Sequence, residues 1–301
     1  MTDLAVLYEH PVWFAPLFAA LERKGVAYTA IDTHGSFDPV APTPPAPLIL
    51  NRVAMSAFLR DAEHPIFWAL ARLDHWQRGG AKILNGPQAL AIDTSKARQL
   101  SLLTSLGLSV PRTRVVHSIS DLVEAADSIG FPLLVKANIG GAGAGITRFD
   151  DREMLRAAIA DNDIPRSIDS VLLVQEYVPA RDGQITRIET LDRAYLYAID
   201  IAGAGAFDLC PADACQVPGS MIQMIAVDPV QALRDAAEAI ARAAHLDLGG
   251  VEVMIDDRDG TPRFYDINAL SNFVARPLDV LGWDPHDRLV DRLVDWIAET
   301  R

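Results

Sequence analysis

Apolar residues run along the chain in short blocks that alternate between strand-like and helix-like spacing. Leu4–Tyr8 is a compact apolar run, the pattern of a buried strand, and Val12–Lys24 follows with helical spacing closed by Gly25. Val26–Ile31 predicts a second strand. From Phe37 to Pro47 the prolines at 39, 42, 44, 45 and 47 forbid regular structure, so this stretch is expected to be a loop. Leu48–Asn51 predicts a third strand, leading into a helix across Ala54–Trp76. Strands alternating with helices imply a parallel sheet under helical cover.

The middle of the chain continues the pattern. Asp93 is expected to cap a helix over Thr94–Leu106, stopped by Gly107. A strand opens at Val110-Pro111, a helix covers Asp121–Ile129 and ends at Gly130, and Pro132–Lys136 is an apolar strand ending in a lysine. Val171–Val178 is a further strand through Gln175-Glu176-Tyr177. The last third reads differently: Ile185–Leu191 and Ala194–Ile201 are expected to pair antiparallel across Asp192-Arg193. A helix covers Pro229–Ala244, a hairpin joins Gly250–Ile255 to Pro262–Ile267, and a closing helix spans Pro285–Ile297.

At 301 residues, half of them hydrophobic, the chain can bury more than one core. Lys and Arg number 27 against 40 Asp and Glu, a formal net charge of -13. That balance argues against a nucleic-acid partner, because phosphate-backbone binding needs clustered cations. No apolar stretch is long enough to span a bilayer, and the first residues do not form a signal peptide. Only two cysteines occur, Cys210 and Cys215, which excludes a disulfide framework and fits a reducing cytoplasm.

Candidate chemistry begins at Lys136. A lysine ending a buried strand is costly unless an anion lies close, and Gly140-Gly141-Ala142-Gly143-Ala144-Gly145 follows it directly. Successive backbone amides in such a run can cradle phosphate; the plain alternative is a surface lysine before a flexible turn. The run fits neither the P-loop nor the dinucleotide-binding spacing. In the C-terminal hairpin, strand alternation places Asp266 and Asn268 on one face, and Glu252 on the partner strand can join them. Two carboxylates and an amide oxygen suit Mg²⁺ bridging nucleotide phosphates, the alternative being a solvent-facing hairpin. Asn51 and Arg52 follow a strand where open α/β sheets bind ligands, and Arg52 could clamp a substrate carboxylate. Glu9 and His10 are placed similarly. The segment Gly203–Gly219, with Cys210 and Cys215, is either a loop shaping an acceptor pocket or a buried turn.

Taken in order, Asp93-x-x-Lys96, Lys136 with its glycine-rich run, Gln175-Glu176-Tyr177-Val178, and Glu252 with Asp266-x-Asn268 resemble the ATP-grasp superfamily. The spacing is most similar to RimK-type α-L-glutamate ligases; D-alanine–D-alanine ligases and glutathione synthetases resemble it less. The resemblance implies an α/β architecture of the α+β ATP-grasp type. Residues 1–90 would form a parallel α/β domain, 91–178 a central lobe with a glycine-rich lid, and 179–301 a lobe carrying the metal site and a central antiparallel sheet.

The same resemblance implies ATP and Mg²⁺ (or Mn²⁺) as cofactors. Lys96 and Lys136 would meet the nucleotide phosphates, and Gly140, Gly141, Gly143 and Gly145 would close over them. Gln175, Glu176, Tyr177 and Val178 would surround adenine and ribose, and Glu252, Asp266 and Asn268 would hold the metal. Arg187 matches the family's arginine that steadies the transferred phosphoryl group or the acyl phosphate. The implied reaction is ATP-dependent joining of a small-molecule or peptide carboxylate to an amine through an acyl phosphate, with ADP and phosphate released, in a chain able to form homo-oligomers. A kinase of the same fold and a non-catalytic nucleotide-binding regulator are the alternatives. Departures from the pattern are Ile185 in place of the usual aspartate, Asp266 in place of glutamate, and Ala269–Phe273 in place of serine-proline-glycine.

Overall fold

In the computed structural model, residues 2–41, 43–60, 64–141, 145–203, 223–274 and 276–300 are described. Strands β1 (Leu4–Tyr8), β2 (Tyr28–Ile31), β3 (Leu48–Arg52) and β4 (Lys82–Leu84) form a parallel sheet in the order β2-β1-β3-β4, with helices α1 (Pro11–Arg23) and α2 (Pro65–Arg78) as crossovers. Alternation explains why β1 reads as continuously apolar. Leu4 and Val6 pack with Leu17 and Leu21 of α1, while Ala5 and Leu7 pack on the other side with Leu73 and Trp76 of α2. Each such fully buried aliphatic side chain contributes about 1.5–3 kcal/mol.

Two expectations are corrected in this region. The helix expected across Ala54–Trp76 is a 3-10 turn at Met55–Leu59 followed by α2. Pro65 explains the break, because it fixes φ at the first helical position and disfavours a helical residue before it. Asp93 does not cap the next helix. It ends α3 (Pro87–Asp93), and the side chain of Ser95 caps α4 (Lys96–Ser105) by accepting the Arg98 N–H at 3.3 Å. The sequence pattern predicts neither β4 nor α3.

A second sheet, β5 (Thr113–Val116), β6 (Leu133–Ala137), β7 (Ile146–Phe149) and β8 (Leu172–Glu176), is antiparallel in the order β5-β8-β6-β7. Helices α5 (Leu122–Ile129) and α6 (Arg152–Ala160) cover one of its faces through Leu122, Ala126 and Leu155.

The third sheet holds β9 (Gln184–Leu191), β10 (Ala194–Ala202), β11 (Gln223–Val227), β12 (Leu248–Ile255) and β13 (Pro262–Asn268), antiparallel in the order β11-β10-β9-β12-β13. One face, through Ile188, Ala198, Val251, Phe264 and Ile267, packs on α7 (Gln231–Ala243). On the opposite face Ile185, Tyr197, Ile199 and Ile201 pack toward Leu4, Val6 and α9 (Pro285–Glu299), which follows the short α8 (Pro277–Val280). Ile185, where the resemblance expects aspartate, is thus a core residue joining the third sheet to the first.

A buried asparagine fastens this junction. The Asn85 amide donates to the carbonyls of Leu248 (2.7 Å) and Ala269 (2.6 Å) and accepts from the N–H groups of Asp247 (2.8 Å) and Leu248 (3.3 Å). Gln99 adds a second tie, donating to the Ile267 carbonyl and accepting its N–H.

Candidate active site

The pairing of β9, β12 and β13 sets the geometry. Arg187 lies opposite Glu252, and Glu252 opposite Asp266; in the neighbouring row Glu189 lies opposite Gly250, and Gly250 opposite Asn268. Because strand side chains repeat with period 2, these positions share one face of the sheet. The Arg187 Nη1 donates to Glu252 at 3.1 Å, and the Asn268 amide donates to the same carboxylate at 3.3 Å. Lys96 closes the group from α4, its ammonium 2.6 Å from Asp266.

The register shifts after Glu252, leaving Tyr265 as the extra residue of a β-bulge. Simple alternation would turn Tyr265 away from Asp266. Instead its hydroxyl bonds Glu252, and its ring centre lies 5.9 Å from the Lys136 ammonium. Tyr265 is therefore a site residue that sequence pattern missed, since a bulge leaves no mark on the hydrophobic rhythm.

Lys136, the last residue but one of β6, donates to the Gln175 side chain at 2.7 Å, while Gln175 donates to Thr113 at 2.9 Å. Asn138 brings the two lysines together: it accepts the N–H of Ala97 through its side chain and that of Lys96 through its carbonyl. Burial and the nearby positive charge of Lys96 lower the Lys136 pKa to about 8. Burial works against the Lys96 charge as well, but the adjoining Asp266 more than offsets it and its pKa is raised. Burial, followed by the negative Asp266, raises the pKa of Glu252. The carboxyl of Asp93, sealed beside this group and accepting the Ala269 N–H at 2.7 Å, is pushed up to about 7, chiefly by burial.

Gly141, in the glycine-rich run, packs on the 3-10 turn at Met55–Leu59. A Cβ added to Gly141 would lie 2.7 Å from the Ser56 Cβ, so this close approach admits only glycine. Gly140 is buried before it, and Gly145 closes the run by accepting the Ala137 N–H through its carbonyl. Gly143, with residues 142 and 144, lies outside the described residues, as do Cys210 and Cys215. Tyr177 carries the Arg148 guanidinium over its ring at 4.2 Å, and Val178 is buried beyond it.

Several expected site residues face elsewhere. The Glu176 carboxylate is buried against Arg112 and Arg258, both at 3.3 Å, so its side chain ties β8 to the hairpin turn and is not presented to a nucleotide. Asn51 donates to the Asn85 carbonyl and accepts the Val53 N–H. Arg52 is 2% exposed; its guanidinium lies over Phe14, and its Nη2 donates to the Ser271 carbonyl and, at 3.5 Å, to Asn272. Burial lowers its pKa to about 10. The expectation of a carboxylate clamp at Asn51-Arg52 gives way to a tie between the first sheet and the chain after β13. Glu9 pairs with Arg60 at 2.5 Å, and His10 caps α1 by accepting the Trp13 N–H.

The donor set suits a hard divalent cation. Glu252, Asp266 and Asn268 place two carboxylates and an amide oxygen on one sheet face beside two lysines that can meet phosphate. Among the described residues, no cluster of three or more His, Cys, Asp or Glu could hold a metal, so such an ion would need further oxygen ligands from nucleotide or water.

Comparison with known proteins identifies the fold and the family. Solved structures with the same fold include the ATP-grasp ligase PsnB complexed with a minimal precursor (TM-score 0.71, 17% identity, covering 98% of this chain and 99% of that one). D-alanine–D-alanine ligase from Bacillus anthracis gives TM-score 0.71 at 16% identity, covering 99% and 98%. The fold is that of the ATP-grasp ligases. The family model for the RimK-like ATP-grasp domain matches residues 93–275, and the chain belongs to that family. Among curated relatives, the ribosomal protein bS6–L-glutamate ligase of Shigella boydii serotype 4 (strain Sb227) is 28% identical over 205 residues, 67% of this chain. The match spans 64% of that relative's length.

Proposed function

We propose that this protein joins a carboxylate to an amine at the expense of MgATP, releasing ADP and phosphate. The observation that carries this reading is the convergence of Lys96, Lys136 and Arg187 on one sheet face with Glu252, Asp266 and Asn268. Phosphoryl transfer needs positioning and charge neutralisation more than a covalent helper, and these residues supply both.

In this reading Lys96 and Lys136 grip the phosphates, and the amides at Gly140, Gly141, Gly143 and Gly145 cover them. The end of β8 and the two residues after it, Gln175 to Val178, line the adenine pocket through their backbone. Glu252, Asp266 and Asn268 hold Mg²⁺, which when bound neutralises phosphate charge. A substrate carboxylate oxygen attacks the γ-phosphorus while the bond to the ADP oxygen breaks, giving an acyl phosphate. Arg187 faces the negative charge that this transfer develops. The amine nitrogen then attacks the acyl carbon, phosphate leaves with its oxygen, and the nitrogen sheds a proton to solvent. Relatives named for joining L-glutamate to a ribosomal protein, and a structural neighbour complexed with a precursor peptide, favour an amino acid and a peptide as the two substrate classes.

The test is ADP release from MgATP with pools of amino acids, short peptides and small carboxylates, products being read by mass, beside Lys136→Ala. A product weighing the two substrates less water, lost in Lys136→Ala, is the expected result. A product heavier by one phosphoryl group would make the protein a kinase, and tight MgATP binding with no ADP from any pool would make it a regulator.

A further inference from the structure

We propose that Glu189 is the positioning residue of Arg187, an inference that rests on the ligase reading above. Glu189 is a carboxylate in the middle of an apolar sheet, its side chain 1% exposed, and nothing in the reaction as derived uses it. Its Oε1 takes the Arg187 Nε–H at 2.6 Å and the Ser271 hydroxyl at 2.7 Å. Burying a carboxylate is expensive, and one tied to a single guanidinium edge acts on where that guanidinium points.

The direction matters because Arg187 has two carboxylates within reach. Nε is held by Glu189 and Nη1 touches Glu252 at 3.1 Å, leaving Nη2 without a carboxylate partner among the described residues. Arginine binds carboxylates best as a bidentate fork. Without Glu189 the guanidinium is free to turn fully onto Glu252, occupying an oxygen the metal needs and taking Nη2 away from the transferring group. Glu189 therefore splits the fork between two partners and keeps its outer nitrogen open.

Gly250 completes the seat from below. An added Cβ there would lie 2.7 Å from the Arg187 Nε, 2.8 Å from Nη2 and 2.9 Å from Cζ. The guanidinium lies flat on bare backbone, so Glu189 fixes its direction and Gly250 its height. Ordinary carbon contact begins near 3.5 Å, so an alanine methyl would lift the group by about 0.8 Å. The same carboxylate reaches the chain after the hairpin: Ser271, which donates to Glu189, has its carbonyl held by Arg52 of the first sheet.

The experiment compares Glu189→Gln, Gly250→Ala and Arg187→Lys, alone and in pairs, using the substrates that give ADP with the wild type. Glu189→Gln is expected to lower kcat about 10-fold and Gly250→Ala up to about 100-fold, the scale of a 1 Å misplacement. The KM for ATP and the calorimetric Kd for MgADP should stay within about 3-fold, because ADP lacks the group that Arg187 faces. In the Arg187→Lys background, where the ammonium is a point charge with no directional Nε–H, the further effect of Glu189→Gln should shrink to under about 3-fold. If Glu189→Gln does not fold, Glu189→Asp, which keeps the charge but draws it back by one methylene, carries the same comparison with and without Arg187→Lys. A kcat near wild type in the folded variants, or an equal Glu189→Gln loss with and without Arg187, overturns the inference. A wild type that binds MgATP but releases no ADP instead removes the ligase reading, and this inference with it.

Discussion

Lys136 gives the sharpest prediction, because burial and charge make its effects on binding and on folding opposite in sign. With its pKa lowered to about 8, Lys136 is mostly charged below that pH and mostly neutral above it. Phosphate binding favours the charged form, so nucleotide affinity should fall as pH rises through 8. If binding requires the proton, the apparent Kd rises by a factor of one plus ten to the power of pH minus 8. That is about 1.1-fold at pH 7, 2-fold at pH 8 and 11-fold at pH 9, approaching a loss of about 1.4 kcal/mol per further unit. Stability should move the other way. The unfolded lysine titrates near 10.4, so between pH 8 and that value the unfolded chain binds more protons, and stability gains with rising pH. Calorimetric titration with a Mg²⁺-loaded non-hydrolysable ATP analogue from pH 7 to 9.5, beside Lys136→Met, reads the first effect, and denaturant melts of the ligand-free protein read the second. The wild type should weaken about 10-fold from pH 7 to 9, while Lys136→Met is weaker at pH 7 and flat. A flat wild-type profile, or the same slope in Lys136→Met, refutes the reasoning.

Two further predictions concern how the sheets are held. Asn85→Leu leaves four backbone groups without the Asn85 side chain as partner at the junction of the first and third sheets, and at about 1–3 kcal/mol for each unsatisfied group it should cost at least about 4 kcal/mol in a denaturant melt. Gly141→Ala places a methyl 2.7 Å from the Ser56 Cβ and should lower ATP turnover at least several-fold by displacing the glycine-rich run. Ser56→Gly in the same chain removes the opposing atom and should restore most of that loss.

The parts of the fold that sequence reveals are those written in period. The hairpin β12–β13 was legible because its apolar residues alternate and its polar ones, Glu252, Asp266 and Asn268, fall in step; the structure pairs them as that step requires. What periodicity cannot carry is where a side chain ends. Glu176 and Arg52 occupy positions that open toward ligands in the sequence, yet each finds a partner contributed from far along the chain, Arg258 for one and Ser271 for the other. The Asp93 cap failed because Ser95, two residues on, competes for the same role and starts α4 closer to Asn138. Glu189 gave the one signal that could have been weighed, a carboxylate inside an apolar strand beside the candidate arginine. Such a residue is rarely fully buried unless paired.

The charges of the site also determine the order in which it can be loaded. Lys96 is paired with Asp266, and Arg187 with Glu189 and Glu252. A nucleotide arriving without a cation would draw Lys96 onto its phosphates and strand Asp266 as a carboxylate only 17% exposed, beside Glu252. A cation arriving alone would release Lys96 next to Lys136, whose pKa already records the repulsion between them. When both arrive, Lys96 passes from Asp266 to phosphate as the cation takes its place, and no group is left unpaired. Nucleotide and cation should therefore bind with positive coupling of about 10-fold or more, equal in both directions as linkage requires. ADP titrations with and without Mg²⁺, and Mg²⁺ titrations with and without ADP, measure it. Asp266→Asn removes the anion that Lys96 must leave, so it should strengthen cation-free ADP binding while abolishing most of the gain from Mg²⁺. ADP that binds equally well with and without the cation in the wild type would mean that the Lys96–Asp266 pair does not have to open.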